Sequence, residues 1–311
     1  MISHLRLKAH GKINLALDVL GKHPDGYHEV RMIMQTVGLH DRIELYRREE
    51  PGIHIETNLF YVPNNEQNLA YKAAALLMEE FGIRQGISIH LRKFIPVSAG
   101  MAGGSSDAAA VLFGVNKMFD LGLSTEALME RGVKLGADIP YCLLRGTALS
   151  EGIGEKLTPL TPMPQCHVLI AKPGISVSTK TVYEALDSLK LKEEDHPDID
   201  GMLNAIEQND LKTVAEKFGN VLELVTAGTY PVISQIEQVM RDYGALNAMM
   251  SGSGPTVFGL FDNFRMAQTA YEALRFGEAS QMAKQVYLTN FFNIKRNNKR
   301  GEEKGSYGKQ F

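Results

Sequence analysis

The chain has 311 residues, of which 44% are hydrophobic and 22% are charged, and its formal net charge is −3. This length and apolar content suit about two domains, and the small negative charge gives no electrostatic basis for binding nucleic acid. Two cysteines argue against a disulfide-stapled fold. No secretory h-region and no apolar run of about 18 residues is visible, so we expect a cytoplasmic protein without a membrane span.

Alternation and helical periodicity predict the elements of the first half of the chain. Strands are expected over 3–9, 13–20, 29–37, 42–48, 53–57 and 87–92, with a break at His10-Gly11 between the first two. Helices are expected over 68–81 and 105–118, and from Ser124 to about Leu135. Between 152 and 164, glycines and prolines interrupt the periodicity, which places a domain boundary there.

In the second half, strands and helices mix without a regular βαβ period, which favours an α+β fold. Strands are predicted over 167–171, 256–261 and 285–290, and helices over 179–188, 198–207, 210–218, 231–242 and 265–275. We therefore expect an N-terminal domain over 1–155 and a C-terminal domain over 156–291. The basic residues of 292–311 predict a disordered tail or, alternatively, a basic arm for a partner.

The segment PVSAGMAGGSSDA, residues 96–108, is the strongest local signal. Its glycines, Gly100, Gly103 and Gly104, permit a tight backbone curl close to a ligand, and the helix that follows offers free N–H groups to an anion. Ser105 or Ser106 could bind a phosphate oxygen or Mg²⁺. The segment lacks the Gly-Lys-Ser/Thr of a Walker A loop and the Gly-x-Gly-x-x-Gly of a dinucleotide fold. It predicts a phosphate site, with a purely structural turn as the alternative.

Three motifs together resemble those of the GHMP kinases. They are KINLALDV at 12–19, the glycine segment, and MSGSGPT at 250–256, in the family's order. Met101 in place of the usual Leu and Gly104 before the serines are small departures. The resemblance implies a two-domain GHMP kinase fold of the α+β class. Its N-terminal domain would resemble ribosomal protein S5 domain 2 and its C-terminal domain a ferredoxin-like sandwich.

Further segments resemble one branch of these kinases: PDGYH at 24–28, Asn68-Leu69, LGADIP at 135–140 and EGIGEK at 151–156. The branch implies phosphorylation, by ATP with Mg²⁺, of the 2-hydroxyl of a methylerythritol linked to cytidine diphosphate, a step in isoprenoid precursor synthesis. The expected partners are small molecules, without nucleic acid or membrane, for a monomer or homodimer. Two alternatives stay open: a GHMP kinase for another alcohol, and a binding protein without turnover.

The resemblance implies two catalytic residues. Asp138 would take the proton of the substrate hydroxyl, and Lys12 would contact Asp138 and the accepting hydroxyl. A turn-stabilising Asp138 and a strand-edge Lys12 are the structural alternatives. Asn14 lies on the same strand face as Lys12, since side chains alternate, and would bind the polyol end of the substrate.

Binding roles follow from the same resemblance. Tyr27 and Tyr183 would stack on a cytosine ring, His28 would meet its polar edge, and Asn68 and Leu69 would flank the adenine, with Asn68 also a candidate helix N-cap. The expected ATP-binding residues of the loop are Pro96, Val97, Ser98, Ala99, Gly100, Met101, Ala102, Gly103, Gly104, Ser105, Ser106 and Asp107. The expected substrate residues of the third motif are Ser251, Gly252, Ser253 and Gly254. Each of these could instead serve only the local turn or core.

Overall fold

The structure is a computed structural model that describes residues 2–294 of the chain. Its strands are β1 (His4–Lys22), β2 (His28–Arg48), β3 (Ile53–Thr57), β4 (Gly86–Arg92), β5 (Thr147–Glu151), β6 (Lys156–Pro159), β7 (His167–Lys172), β8 (Gly219–Asn220), β9 (Asn247–Met250), β10 (Val257–Phe261) and β11 (Gln285–Asn290). Its α-helices are α1 (Leu69–Glu80), α2 (Gly103–Phe119), α3 (Thr125–Gly132), α4 (Ile139–Leu144), α5 (Thr179–Leu186), α6 (Ile199–Glu207), α7 (Leu211–Glu216), α8 (Val221–Thr229), α9 (Val232–Asp242) and α10 (Phe264–Arg275).

The described strands form two sheets, which confirms the α+β class. Seven strands make the first sheet, in the order β3-β4-β2-β1-β8, with β5 pairing with β2 and β6 pairing with β5. Four antiparallel strands make the second, in the order β11-β7-β10-β9. The short β8 comes from the second half of the chain but pairs in parallel with β1 of the first. The predicted boundary at residue 155 remains a prediction.

Strand β1 is continuous, so the predicted break at His10-Gly11 is wrong. The ladder with β2 instead slips between His10 and Lys12 and again between Asn14 and Ala16. Between His10 and Lys12 the partner strand advances four residues, from His40 to Thr36, so the ladder shifts by two. Such an irregularity twists the strand locally and re-aims its side chains. The glycine and the polar residues there reflect this irregularity, not the end of a strand.

Three apolar clusters form the core. The first lies between the large sheet and helices α1, α2 and α4, the second between the two sheets with α6 and α7, and the third between the small sheet and helices α9 and α10. Helices α4 and α8 and strands β5, β6, β8 and β9 were not predicted. Each is short, with two to nine residues, too few for a clear periodicity.

The described start of the predicted disordered tail is packed, which corrects that prediction for residues 292–294. The Phe292 N–H donates to Thr36 O at 2.9 Å, and its ring stacks on His10 with the centroids 4.0 Å apart. Ile294 is buried. The remainder of the predicted tail, from residue 295, lies outside the described residues. No helix in the described part of the chain is long and apolar enough to cross a membrane.

Candidate active site

The turnover of β1 brings two polar side chains to the cleft. Leu7 and Ala9 belong to the first apolar cluster, whereas Ile13 and Leu15, at positions of the same parity, belong to the second. The slip at His10–Lys12 therefore moves Lys12, and with it Asn14, onto the face that α2 covers. Both are buried, and the Lys12 ammonium donates to Asn14 Oδ1 at 2.7 Å.

The glycine loop docks on this same irregularity of β1. The Lys12 N–H donates to Met101 O at 3.1 Å, and Ser106 Oγ donates to His10 O at 2.6 Å. Ala102 is left-handed, with φ 53°, and caps α2 without a side-chain hydrogen bond. Gly103, Gly104 and Ser105 face the cleft, and within residues 2–294 no side chain caps their N–H groups, as an anion site requires.

A buried charge cluster supports the loop from below. The Lys93 ammonium pairs with Asp41 and, at 2.6 Å, with Asp107, and a Cβ built on Gly103 would lie 3.2 Å from it. Burial opposes the charged form of Lys93, but the two carboxylates outweigh it and raise its pKa. Burial raises the pKa of Asp107. Asp107 therefore holds the loop in place, and its predicted contact with ATP remains untested.

The third motif meets the loop through backbone atoms. Gly100 has φ 72°, and a Cβ there would lie 2.1 Å from Ser251 O. Ser251 Oγ donates to Gly100 O at 3.0 Å and accepts from the Asn14 N–H at 3.3 Å. The three motifs are thereby joined around one centre, although Asn14 and Ser251 are 237 residues apart in the chain.

A cleft of about 970 Å³ opens at this centre. The predicted site residues that line it are Lys12, Asn14, Tyr27, His28, Leu69, Ser98, Ala99, Gly100, Ala102, Gly103, Gly104, Ser105, Asp138, Tyr183, Gly252, Ser253 and Gly254. The structure thus brings both predicted catalytic side chains and most of the predicted binding residues into one cavity.

Seven predicted residues do not line the cleft: Pro96, Val97, Met101, Ser106, Asp107, Asn68 and Ser251. Met101 is in the apolar core, and the hydroxyls of Ser106 and Ser251 bond to backbone carbonyls as described above. Asn68 is confirmed as an N-cap, since its Oδ1 accepts from the Ala70 N–H at 2.9 Å. The side chains of Asn68, Ser106 and Ser251 thus fix the backbone around the site. Any contact of the seven residues with ATP or substrate remains a prediction.

Asp138 occupies the N-cap position of α4 but makes no capping hydrogen bond with its side chain. Its carboxylate is therefore not consumed by the helix, which argues against the turn-stabilising alternative. Among the described residues no ion pair within 4.0 Å joins Asp138 to Lys12, and their contact around a substrate hydroxyl stays a prediction. The Lys12 ammonium bonds to Asn14 instead, since Asn14 Oδ1 lies on the same strand face.

Aromatic side chains line the far end of the cleft. The rings of His28 and Tyr183 lie 4.7 Å apart between centroids, while Tyr27 is 58% exposed and thus free to receive a planar group. His28 Nε2 bonds to Asp187 Oδ1 at 2.7 Å, and Lys22 pairs with the other oxygen of Asp187 at 2.6 Å. Hydrogen bonds from Lys22 and His28 lower the pKa of Asp187.

Several cleft residues were missed by sequence reasoning. Lys22 lies at the end of β1, and Ser178 and Thr179 lie at the start of α5. No local pattern distinguishes Lys22 from a surface lysine, and Ser178 carries the signal of an ordinary helix cap. Only the pairing of β1 with β2 and the packing of α5 bring these residues together.

A carboxyl pair lies behind the third motif. Glu223 Oε2 accepts from the Met250 N–H at 2.7 Å, and Glu237 is buried beside Glu223 and 3.6 Å from Arg241. Burial, together with the Glu223 charge, raises the pKa of Glu237 to about 8. Glu237 Oε1 has no hydrogen-bond partner among the described residues, and this buried environment favours the protonated form of Glu237.

The donors present fit an ATP-bound Mg²⁺ better than a protein-held one. No group of three or more His, Cys, Asp or Glu side chains in residues 2–294 could hold a metal ion. Ser105 at the start of α2 and the carboxylate of Asp138 are among the oxygen donors on the cleft wall, and Mg²⁺ typically takes one or two such ligands beside substrate phosphates.

Both halves of the chain match the GHMP kinases. The profile of the GHMP kinases N terminal domain matches residues 68–146, and that of the GHMP kinases C terminal domain matches 202–279. The 4-diphosphocytidyl-2-C-methyl-D-erythritol kinase of Lachnospira eligens is 55% identical, covering 93% of this chain and 98% of the relative. The protein of that name from Lachnoclostridium phytofermentans is 56% identical over 94% and 98%.

Solved structures agree with these relatives. A crystal structure of 4-(cytidine 5'-diphospho)-2C-methyl-D-erythritol kinase superposes with a TM-score of 0.77 and 31% identity, covering 92% of this chain and 99% of its own. A homoserine kinase from Cytophaga hutchinsonii superposes with a TM-score of 0.75 at 19% identity, covering 93% and 95%, and shares the fold. The predicted GHMP kinase fold is confirmed.

The contact between the two glycine motifs predicts that Gly100→Ala is disruptive. The new methyl group would collide with Ser251 O, and alanine would have to adopt the left-handed conformation of Gly100. We therefore expect the free energy of unfolding to fall by at least about 2 kcal/mol. Urea denaturation measures this. Gly228→Ala is the matched control, since a Cβ there meets nothing within 4 Å and helix α8 should gain up to about 1 kcal/mol. Equal effects of the two substitutions would contradict the contact.

The raised pKa of Glu237 predicts a pH dependence of stability. Between the unfolded value of about 4.3 and the folded value of about 8, the folded state binds more protons, so stability falls as pH rises. Glu237→Gln mimics the protonated group and should remove this slope, by at most about 1.4 kcal/mol per pH unit. Urea midpoints from pH 5.5 to 8.5 measure it. The exposed Glu207→Gln should leave the slope in place, and parallel curves for wild type and Glu237→Gln would rule out the raised pKa of Glu237.

Proposed function

The chain belongs to the GHMP kinases and, within them, to the 4-diphosphocytidyl-2-C-methyl-D-erythritol kinases, and from this premise we propose how its cleft performs the reaction. ATP would give its γ-phosphoryl group to the 2-hydroxyl of 4-diphosphocytidyl-2-C-methyl-D-erythritol, forming the 2-phosphate and ADP. One observation carries the proposal: the glycine loop, the Asp138 carboxylate and the aromatic side chains line the same cleft. Asp138 makes no capping hydrogen bond with its side chain.

Asp138 is the proposed general base. Its carboxylate would accept the proton of the 2-hydroxyl while that oxygen bonds to the γ-phosphorus, and the bond from this phosphorus to the β,γ-bridging oxygen breaks. Support comes from its place on the cleft wall and its unused capping capacity. If the carboxylate contacts the hydroxyl directly, Asp138 alone is sufficient for the proton transfer.

Lys12 and the loop would stabilise charge. Lys12 is buried, so its ammonium acts with little screening by water, and Asn14 fixes its direction. The first N–H groups of α2 would receive the ATP phosphates, with Leu69 and Asn68 near the adenine. Mg²⁺ bound to the nucleotide would neutralise phosphate charge, with Ser105 and Asp138 as the donors within its reach.

The aromatic end of the cleft would bind the cytidine. Tyr27 offers an exposed ring face, and Tyr183 a half-buried one; stacking on such faces contributes roughly 1–3 kcal/mol per base. His28 is held by Asp187, which orients its ring beside Tyr183. The third motif would hold the diphosphate between the two ends. Since both substrates are charged phosphate esters, which a bilayer excludes, we place the reaction in the cytoplasm. We propose a monomer or a homodimer.

The test is ADP release by the purified protein with Mg-ATP, with and without diphosphocytidyl-methylerythritol. We expect release only with this acceptor, and a fall of about 10²- to 10⁴-fold in kcat for Asp138→Asn, because the general base is lost. Asp262→Asn, a change at an exposed position away from the cleft, is the control and should keep full activity.

Two results would contradict parts of the proposal. Release with another polyol but not with this acceptor would keep the kinase and discard the substrate. ATP binding without release on any acceptor would discard catalysis.

A further inference from the structure

Asn220 occupies the junction between the two sheets and the third motif. It is the residue of β8 that pairs with Leu17 of β1, and it is also the N-cap of α8. Its side chain is buried, and its three hydrogen bonds are all to backbone atoms. Oδ1 accepts from the Leu222 N–H at 3.1 Å, while Nδ2 donates to Met250 O at 2.9 Å and to Gly252 O at 2.8 Å.

These two donor bonds fix the orientation of two peptide planes. In a trans peptide the C=O and the following N–H point in opposite directions. Since Met250 O faces Asn220, the Ser251 N–H must point away, and it does, donating to Thr256 O at 2.8 Å. Since Gly252 O also faces Asn220, the Ser253 N–H points away from Asn220 as well.

The Ser253 N–H has no such protein acceptor. Among the hydrogen bonds of the described residues, neither the Gly252 N–H nor the Ser253 N–H donates to protein, and both residues line the cleft. Two further bonds steady the segment: Thr226 Oγ1 donates to Ser253 O at 3.3 Å, and Ser253 Oγ bonds to Thr179 Oγ1 at 2.8 Å. Successive unpaired N–H groups on a glycine turn form a concave site for an anion.

We propose that Asn220 is a positioning residue, which turns the Gly252–Ser253 peptide so that its N–H serves a phosphate oxygen of a bound substrate. This role rests on the proposed kinase function, since a phosphate ester must enter the cleft. Asn220 itself lies behind the peptide and does not touch the ligand. Its pairing with β1 also ties this peptide to the strand that carries Lys12 and Asn14.

Asn220→Asp tests the role with almost no change of shape. The cap on Leu222 is retained, but a carboxylate oxygen replaces Nδ2 and faces two carbonyl oxygens. Oxygen atoms repel one another there, so the hydrogen bonds that orient the peptide are lost. We expect the KM of at least one phosphate-bearing substrate to rise roughly 10- to 100-fold. A general loss of stability would not by itself raise KM in the folded fraction.

Asn116→Asp is the matched control. Asn116 is equally buried, and its side chain also donates to one carbonyl, Leu123 O at 2.9 Å, and accepts from the Leu123 N–H at 3.0 Å. It lies near the end of α2 and does not line the cleft. Unchanged kinetic constants are expected. If Asn220→Asp is folded and its KM values equal those of Asn116→Asp, the proposal is overturned.

A second measurement needs neither a stable variant nor turnover. Inorganic pyrophosphate is titrated into the ¹⁵N-labelled wild-type protein, and the assigned amide signal of Ser253 is followed by NMR. A downfield, saturating shift of its proton is expected. If amides of residues 103–105 respond while Ser253 does not, or if none respond at saturating pyrophosphate, the phosphate role is overturned. Because no acceptor alcohol is present, failure of the proposed substrate leaves this result unaffected.

Discussion

The register slip between His10 and Lys12 is the constraint on which the site depends. Without it, alternation along β1 would leave Lys12 and Asn14 on the face opposite α2. The same irregularity offers the backbone groups that hold the glycine loop, since Lys12 N–H and His10 O bond to Met101 O and Ser106 Oγ. One irregularity in the ladder of β1 and β2 therefore both exposes the lysine to the cleft and seats the loop beside it.

Two sets of interactions hold the glycine loop: the buried ion pairs of Lys93 and the backbone contact of Gly100 with Ser251. Lys93, paired with Asp41 and Asp107, fixes the start of the loop to α2. Breaking such a buried cluster by removing one partner is costly, because an uncompensated charge stays buried. On the other side, Gly100 and Ser251 approach too closely for any side chain at position 100. The phosphate loop and the third motif thus keep a fixed spacing.

Much of the site could be predicted from sequence, because its motifs are local. The glycine loop lies between a strand and a helix, and Lys12 stands out as a lysine within an apolar strand. What sequence could not supply was the partner of each polar group. Ser106, Asp107 and Ser251 belong to the motifs, yet their side chains bond to backbone or to Lys93, and these partners are distant in the chain.

The remaining differences have similar causes. The break predicted at His10-Gly11 mistook a slip for an end, since both place a glycine among polar residues. Asn220 gave no sequence signal beyond that of a helix cap, because its two other bonds reach residues 30 and 32 positions away. The bond of Lys12 to Asn14, which shares its strand face, was not predicted, and the expected contact of Lys12 with Asp138 stays a prediction.

The central claim is that the three motifs meet around one phosphoryl-transfer centre. A crystal structure with a non-hydrolysable ATP analogue, Mg²⁺ and diphosphocytidyl-methylerythritol tests it most directly. The account predicts the triphosphate over residues 98–105, the cytosine against Tyr27 and Tyr183, and the 2-hydroxyl within hydrogen-bond distance of Asp138, in line with the γ-phosphorus. A nucleotide bound elsewhere, or a 2-hydroxyl out of reach of Asp138 in a closed complex, would contradict it.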